Sequence, residues 1–215
     1  ASRPLAFALD YQRLPPLVAA PFRLEVDERI AADGSVLKPL LDADLDVLAA
    51  RLERLEVAAV AISFINAYRN PSHEVQVATY LRKRLPGVFI SAGSELSREW
   101  FEYERSCTAM ANAYVGPRAT AYLNTMVRAL DDKGFAGQLS IMSSNGGVLS
   151  PARAAEEPIA LVESGPIGGC IGAAAYARAL GLDKVIAFDM GGTTAKCALV
   201  EDLRFEIRPD YDVGG

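Results

Sequence analysis

Residues 188–200 constrain this chain more than any other stretch: Phe-Asp-Met-Gly-Gly-Thr-Thr-Ala-Lys-Cys-Ala-Leu-Val. An apolar strand ending in a carboxylate, a glycine turn with paired hydroxyls and a second strand together form a device for holding phosphate. Residues 184–188 are β-branched or apolar almost throughout, which predicts a strand covered on both faces. Asp189 then stands at the strand exit. Gly191 and Gly192 can take dihedrals closed to other residues and let a ligand approach the backbone, so that their N–H groups converge on an anion. Thr193 and Thr194 add donors. Asp189 is placed to hold magnesium through water, since that ion keeps much of its hydration shell and prefers carboxylate and phosphate oxygens. An ordinary tight hairpin uses the same residues, with glycines chosen for positive φ.

The segment upstream favours the phosphate reading. Glu163-Ser164-Gly165-Pro166-Ile167-Gly168-Gly169-Cys170 leads into an alanine-rich run that ends at Gly181. Pro166 suits a first helical turn, Ser164 or Gly165 its cap, and Gly181 the position after its end. The small residues at 165, 168, 169, 172 and 173 leave one face almost without side chains, although each interior glycine costs about 1 kcal/mol against alanine. A ligand can approach such a helix, and its first-turn N–H groups favour an anion. Close packing against another helix is the alternative.

A small-residue helix, a short connection, an apolar strand and Asp-x-Gly-Gly-Thr resemble the connecting helix and second phosphate loop of the actin, heat-shock chaperone and sugar-kinase ATPase superfamily. Within it, the chain resembles the hydantoinase A and oxoprolinase family, which includes N-methylhydantoinase A and acetone carboxylase beta subunits. The motifs that carry this are Pro16-Leu17-Val18, Glu25-Val26-Asp27-Glu28-Arg29-Ile30, Asn70-Pro71-Ser72-His73-Glu74, Glu102-Tyr103-Glu104-Arg105, Asn112-Ala113-Tyr114, Ser144-Asn145-Gly146-Gly147, Glu163-Ser164-Gly165-Pro166 and Asp189-Met190-Gly191-Gly192-Thr193. They occur in family order and span nearly all of the chain. Members of the family also resemble one another in an earlier Asp-x-Gly-Gly-Thr loop and in a complete C-terminal lobe. Neither is found here, so the expectation is an internal fragment of a longer polypeptide.

Composition agrees with a globular piece. At 215 residues and 51% hydrophobic content the chain can bury a sizeable core. A net charge of −5 supplies no basic excess for nucleic acid. No apolar run approaches the roughly 20 residues of a membrane span. Cys107, Cys170 and Cys197 are odd in number and far apart, without metal-ligand spacing, which fits reduced thiols in the cytoplasm.

The expected elements alternate. Residues 22–30 and 36–40 flank a hairpin turn, and Asp42 or Asp44 caps a helix with Leu45, Leu48, Leu52 and Leu55 on one stripe. Residues 57–65 read as a buried strand. Asn70 and Pro71 start a second helix with Val77, Leu81 and Leu85 inward, before a strand at 88–91. Helices at 102–114 and 118–130 are broken by Gly116-Pro117, and 139–143 is a further strand. This pattern predicts an α/β fold, a mixed sheet with flanking helices and parallel pairings. The resemblance implies an incomplete ribonuclease H-like ATPase lobe plus the first hairpin of a second lobe. Its divisions are 1–164 for the remainder of the N-terminal lobe, 165–182 for the connecting helix, and 183–215 for the start of the C-terminal lobe.

Asn145, Gly146 and Gly147 follow a buried strand, where α/β sheets collect ligands, but Asn-Gly also favours a plain turn. His73, the sole histidine, suits a structural or solvent-facing role. Glu102 and Arg105 read as a solvated helix face, with a bordering role at an active cleft as the alternative. Lys196 replaces the acidic residue that many relatives carry; it can reach phosphate as a point charge or point to solvent. The resemblance implies ATP and magnesium as cofactors and a hydantoinase B type subunit as partner. It also implies phosphorylation of a carbonyl oxygen, either to open a cyclic amide of hydantoin or 5-oxoproline type or to carboxylate a ketone. A nucleotide-driven switch without small-molecule chemistry is the competing expectation. The cofactor-binding residues are then Asp189, Gly191, Gly192, Thr193, Thr194 and Lys196, with Gly165, Gly168 and Gly169 lining the cleft and Asn145, Gly146 and Gly147 beside it. Asp189 addresses the metal.

Overall fold

The computed structural model describes residues 16–192 and 194–206. Thr193 of the expected phosphate turn lies outside the described residues. The fold is mixed α/β with small sheets, and the chain divides into two compact units, Ala1–Ala121 and Tyr122–Gly215.

In the first unit, β1 (Arg29–Ile30) and β2 (Val36–Lys38) form an antiparallel hairpin shorter than the sequence suggests. Pro21 lies in a 3-10 turn, Ala20–Phe22, so the start of the expected strand is not extended. Gly34 at φ 92° and the Asp33 carboxylate, which accepts from Ser35 N–H at 2.9 Å, shape the turn. Helix α1 (Asp42–Leu55) buries Leu45, Leu48 and Leu52 of the predicted stripe together with Ala49, while Leu55 at its end is half-buried. Its N-cap is Leu41, and Asp42 and Asp44 occupy the first turn instead of capping it.

Strand β3 (Ala59–Ile62), helix α2 (Ser72–Arg84) and strand β4 (Phe89–Ala92) make a βαβ unit, with β3 and β4 parallel. Asn70 Oδ1 accepts from Ser72 N–H at 3.1 Å at the start of α2. The core lies between this pair of strands and the two helices, around Leu45, Leu52, Ile62, Val77, Leu81 and Ile90. Each such side chain contributes about 1.5–3 kcal/mol on burial. A single helical turn, α3 (Gly93–Leu96), follows β4.

The two helices predicted around Gly116-Pro117 are one, α4 (Glu102–Asp132), with Pro117 inside it. The boundary between the two units falls within this helix. Gly116 acts in packing rather than in breaking: a Cβ there would meet the Phe89 ring at 2.5 Å, so the ring seats directly on the helix backbone.

The second unit contains β5 (Ile141–Met142) and β6 (Val148–Leu149), an antiparallel pair, then α5 (Pro151–Glu156), α6 (Ser164–Leu180), β7 (Lys184–Met190) and β8 (Ala195–Glu201). Ser150 caps α5 and accepts from Arg153 N–H at 3.2 Å. Gly181, at φ 66°, ends α6 as the sequence predicts. Strands β7 and β8 pair antiparallel through seven positions, with Asp189 opposite Lys196 and Met190 opposite Ala195.

Two expectations about sheets change. Among the described residues every sheet is two-stranded, and β3–β4 is the sole parallel pair, because the connections between β5 and β6 and between β7 and β8 are hairpin turns. Nor is β7 covered on both faces. Val185 and Ala187 are half-buried on the side where α6 packs, whereas Ile186 and Phe188 are 71% and 66% exposed.

Candidate functional site

Two of the segments singled out in the sequence reach the N-terminal half of α6: the loop after β5, and Lys196 near the start of β8. The loop between β5 and β6 seats Gly146 against this helix, its missing Cβ leaving 3.5 Å to Ile171 Cδ1 and 3.7 Å to Ile167 Cγ2. Gly168 faces Met142 in the same way, at 3.8 Å from Cγ. Helix α6 also packs against β7 and β8. The Lys196 ammonium on β8 donates to Glu163 Oε2 at the N-cap of α6, both side chains being about one-third exposed. Glu163 itself is left-handed at φ 66°, ψ 12°, and its side chain does not cap the first turn of α6. The helix therefore starts at Ser164, with Pro166 in its first turn, one residue earlier than a cap at Ser164 would give.

The geometry assigns the glycines different duties from those expected. Gly191 N–H donates to Thr194 O at 2.9 Å, closing the turn on itself, so this amide is spent internally. Neither Gly191 nor Gly192 lies in the left-handed region. Nor does packing demand glycine: among the described residues a Cβ on Gly192 would meet nothing within 4 Å, and at Gly191 it would meet one atom, Thr194 O at 3.8 Å. The loop of Asn145 is likewise a closed turn. Gly146 N–H donates to Ser143 O at 3.0 Å, Gly147 N–H to Asn145 Oδ1 at 2.9 Å, and Ser143 Oγ also donates to Asn145 Oδ1. Gly146 needs its φ of 84° there. As amide donors Gly146 and Gly147 serve the turn.

Asp189 is exposed on the edge of the hairpin, and among the described residues no hydrogen bond or ion pair engages its carboxylate. Burial pushes the Cys170 thiol on α6 above its ordinary range, and the Asp189 charge adds to that shift, which places the carboxylate within electrostatic reach of the helix. No group of three or more His, Cys, Asp or Glu side chains poised for a metal occurs among the described residues. One open carboxylate beside space for phosphate fits magnesium, which takes few protein ligands and retains water. Gly165 and Gly169 have open surroundings: a Cβ added at either would meet nothing within 4 Å.

Sequence reasoning missed a buried polar hub in the first unit. Arg105 is not on a solvated face; it is 2% exposed, and its Nη1 donates to Glu74 Oε1 at 3.1 Å. Its Nη2 donates to Glu102 Oε2 and, at 2.8 Å, to Phe64 O. Glu74 also accepts from Phe64 N–H and Ser94 N–H, each at 2.7 Å, and Glu102 from Asn66 N–H at 2.7 Å. His73 is structural and buried, its Nδ1 2.6 Å from Glu28 Oε2. The signal was present: the Asn-Pro-Ser-His-Glu and Glu-Tyr-Glu-Arg motifs carry complementary charges, although nothing local says that they meet.

Comparison with known proteins gives a consistent result. A family model described as hydantoinase/oxoprolinase matches residues 105–215, and one for the N-terminal region of that family matches residues 1–85. An uncharacterised protein of Methanocaldococcus jannaschii is 36% identical over 99% of this chain and 31% of its own length. Caprolactamase subunit alpha of Pseudomonas jessenii is 32% identical over 91% of this chain and 28% of its own. The solved nucleotide-free structure of acetone carboxylase, an ATP-dependent enzyme, superposes with a TM-score of 0.83 at 26% identity, covering 94% of this chain and 29% of that one. The chain thus spans under a third of the length of the relatives it matches. Among the described residues no helix is long and apolar enough to cross a membrane.

Proposed function

The chain belongs to the hydantoinase/oxoprolinase family, and on that footing we propose that it is part of an ATP-dependent hydrolase subunit that opens cyclic amides by phosphorylating the carbonyl oxygen. The observation that carries this reading is that Lys196, next to the β7–β8 turn, is tied to Glu163 at the start of α6, the helix on which the Ser143–Gly147 turn also packs. Bound ATP would supply the phosphoryl group that makes a poor electrophile open to water. Magnesium would sit at Asp189. Gly192 and Thr194 would admit phosphate to the turn, with Thr193 beside them, while Lys196 and the start of α6 would balance its charge. The role of Gly165, Gly168 and Gly169 is to keep side chains out of the approach.

We further propose that 183–215 opens the second lobe of a ribonuclease H-like ATPase, with α6 as the connecting helix. The partner is a hydantoinase B type subunit, in keeping with a relative named as subunit alpha. A ketone carboxylase is the second reading, favoured by the fold likeness to acetone carboxylase. The test is substrate-dependent release of ADP by the full-length protein and its partner, offered hydantoin, 5-oxoproline, caprolactam or acetone. Stimulation by a cyclic amide supports the hydrolase; stimulation by acetone with bicarbonate alone supports the carboxylase. ADP release indifferent to every carbonyl compound would leave a nucleotide-driven switch.

A further inference from the structure

We infer that Glu163 is an internal competitor anion for the phosphate turn, holding Lys196 in the free protein and yielding it when nucleotide binds. The inference rests on the reading of that turn given above. Three observations carry it. Lys196 stands opposite Asp189 in the ladder, one pair from the start of β8 and so next to the turn. Its ammonium donates to a carboxylate 33 residues earlier in the chain, on the N-cap residue of α6, whose side chain does not cap the helix. Glu163 therefore stands where helix dipole and lysine both favour negative charge, the place an incoming phosphate would claim. Third, the Glu163 backbone is left-handed, a conformation sparsely populated by residues with a Cβ.

Both partners are about one-third exposed. Water and salt reach a pair of that kind, which makes it weak enough to exchange. A phosphate offers Lys196 several oxygens and more charge than one carboxylate does. Exchange of partner would lower the apparent affinity for nucleotide, and would ease departure of ADP and phosphate by returning the lysine to Glu163.

The test is calorimetric titration of the full-length protein with magnesium-ATP. Glu163→Gln should tighten binding by roughly three- to tenfold, the equivalent of one partly exposed ion pair. Lys196→Met should weaken binding, and in that background Glu163→Gln should have no effect. Glu163→Gly, which suits the left-handed backbone and removes the same carboxylate, should tighten binding to a similar degree and guards against misfolding of the glutamine variant. Unchanged or weaker binding in both Glu163 variants, with wild-type binding intact, overturns the inference alone. Tightening by glycine but not by glutamine assigns the effect to backbone strain and also overturns it. Failure of the wild type to bind magnesium-ATP overturns this inference together with the phosphate-turn reading.

Discussion

Replacing Arg105 with methionine removes the cation from beside a carboxylate that no water reaches. Glu74 is 0% exposed and would keep its two backbone donors, Phe64 N–H and Ser94 N–H, while losing its counter-charge. Breaking a buried pair from one side costs about 3–5 kcal/mol. At about 1.4 kcal/mol per decade, amides of α2 and β4 should exchange with heavy water roughly two to three and a half orders of magnitude faster. The assay is native-state hydrogen exchange by mass spectrometry on the full-length protein, with peptides from α6 in the other unit as the internal reference. The double variant Glu74→Gln with Arg105→Met leaves no buried uncompensated charge, since Glu102, the other carboxylate on Arg105, is about one-third exposed to water, and it should recover most of the lost protection. A change below threefold in Arg105→Met would refute the reasoning, because it would mean that Glu74 does not depend on its guanidinium partner.

Further outcomes follow from the same geometry. Gly116→Ala drives a Cβ to 2.5 Å from the Phe89 ring and should destabilise by about 1–3 kcal/mol, seen as a lower unfolding midpoint; adding Phe89→Ala should relieve the clash. Asp189→Asn should reduce magnesium-dependent ATP turnover by about a hundredfold or more while leaving the unfolding midpoint unchanged, because its carboxylate is exposed and bonds to no described group. Cys170, buried and with its thiol held above the ordinary range, should react with iodoacetamide well behind exposed Cys197 and gain speed only at higher pH. Asp189→Asn should move that onset down by the smaller share of the shift, since burial is the larger cause; peptide mapping of alkylation against pH reads both.

What the sequence made legible is local. Leu45, Leu48 and Leu52 fall on one stripe of α1 because a 3.6-residue period is written in the chain, and Gly181 marks the end of α6 because a left-handed residue there favours glycine. The β7–β8 hairpin was equally readable, down to the turn between Met190 and Ala195. The long-range features were not. Arg105 looks like a surface charge until Glu74, 31 residues away, is seen beneath it. Gly116-Pro117 has the local signature of a helix break, and the Phe89 ring that makes glycine fit a continuous helix comes from a strand 27 positions earlier. Within the candidate site, the Gly191 amide closes its own turn, and the tie from Lys196 to Glu163 carries no mark in either segment alone.

The account turns on transfer of phosphate to a carbonyl oxygen, and an isotope follows that atom directly. A cyclic amide labelled with oxygen-18 at its carbonyl, turned over by the full-length protein with its partner and ATP, should release inorganic phosphate carrying the label. The label retained wholly in the opened product, with unlabelled phosphate, would contradict it.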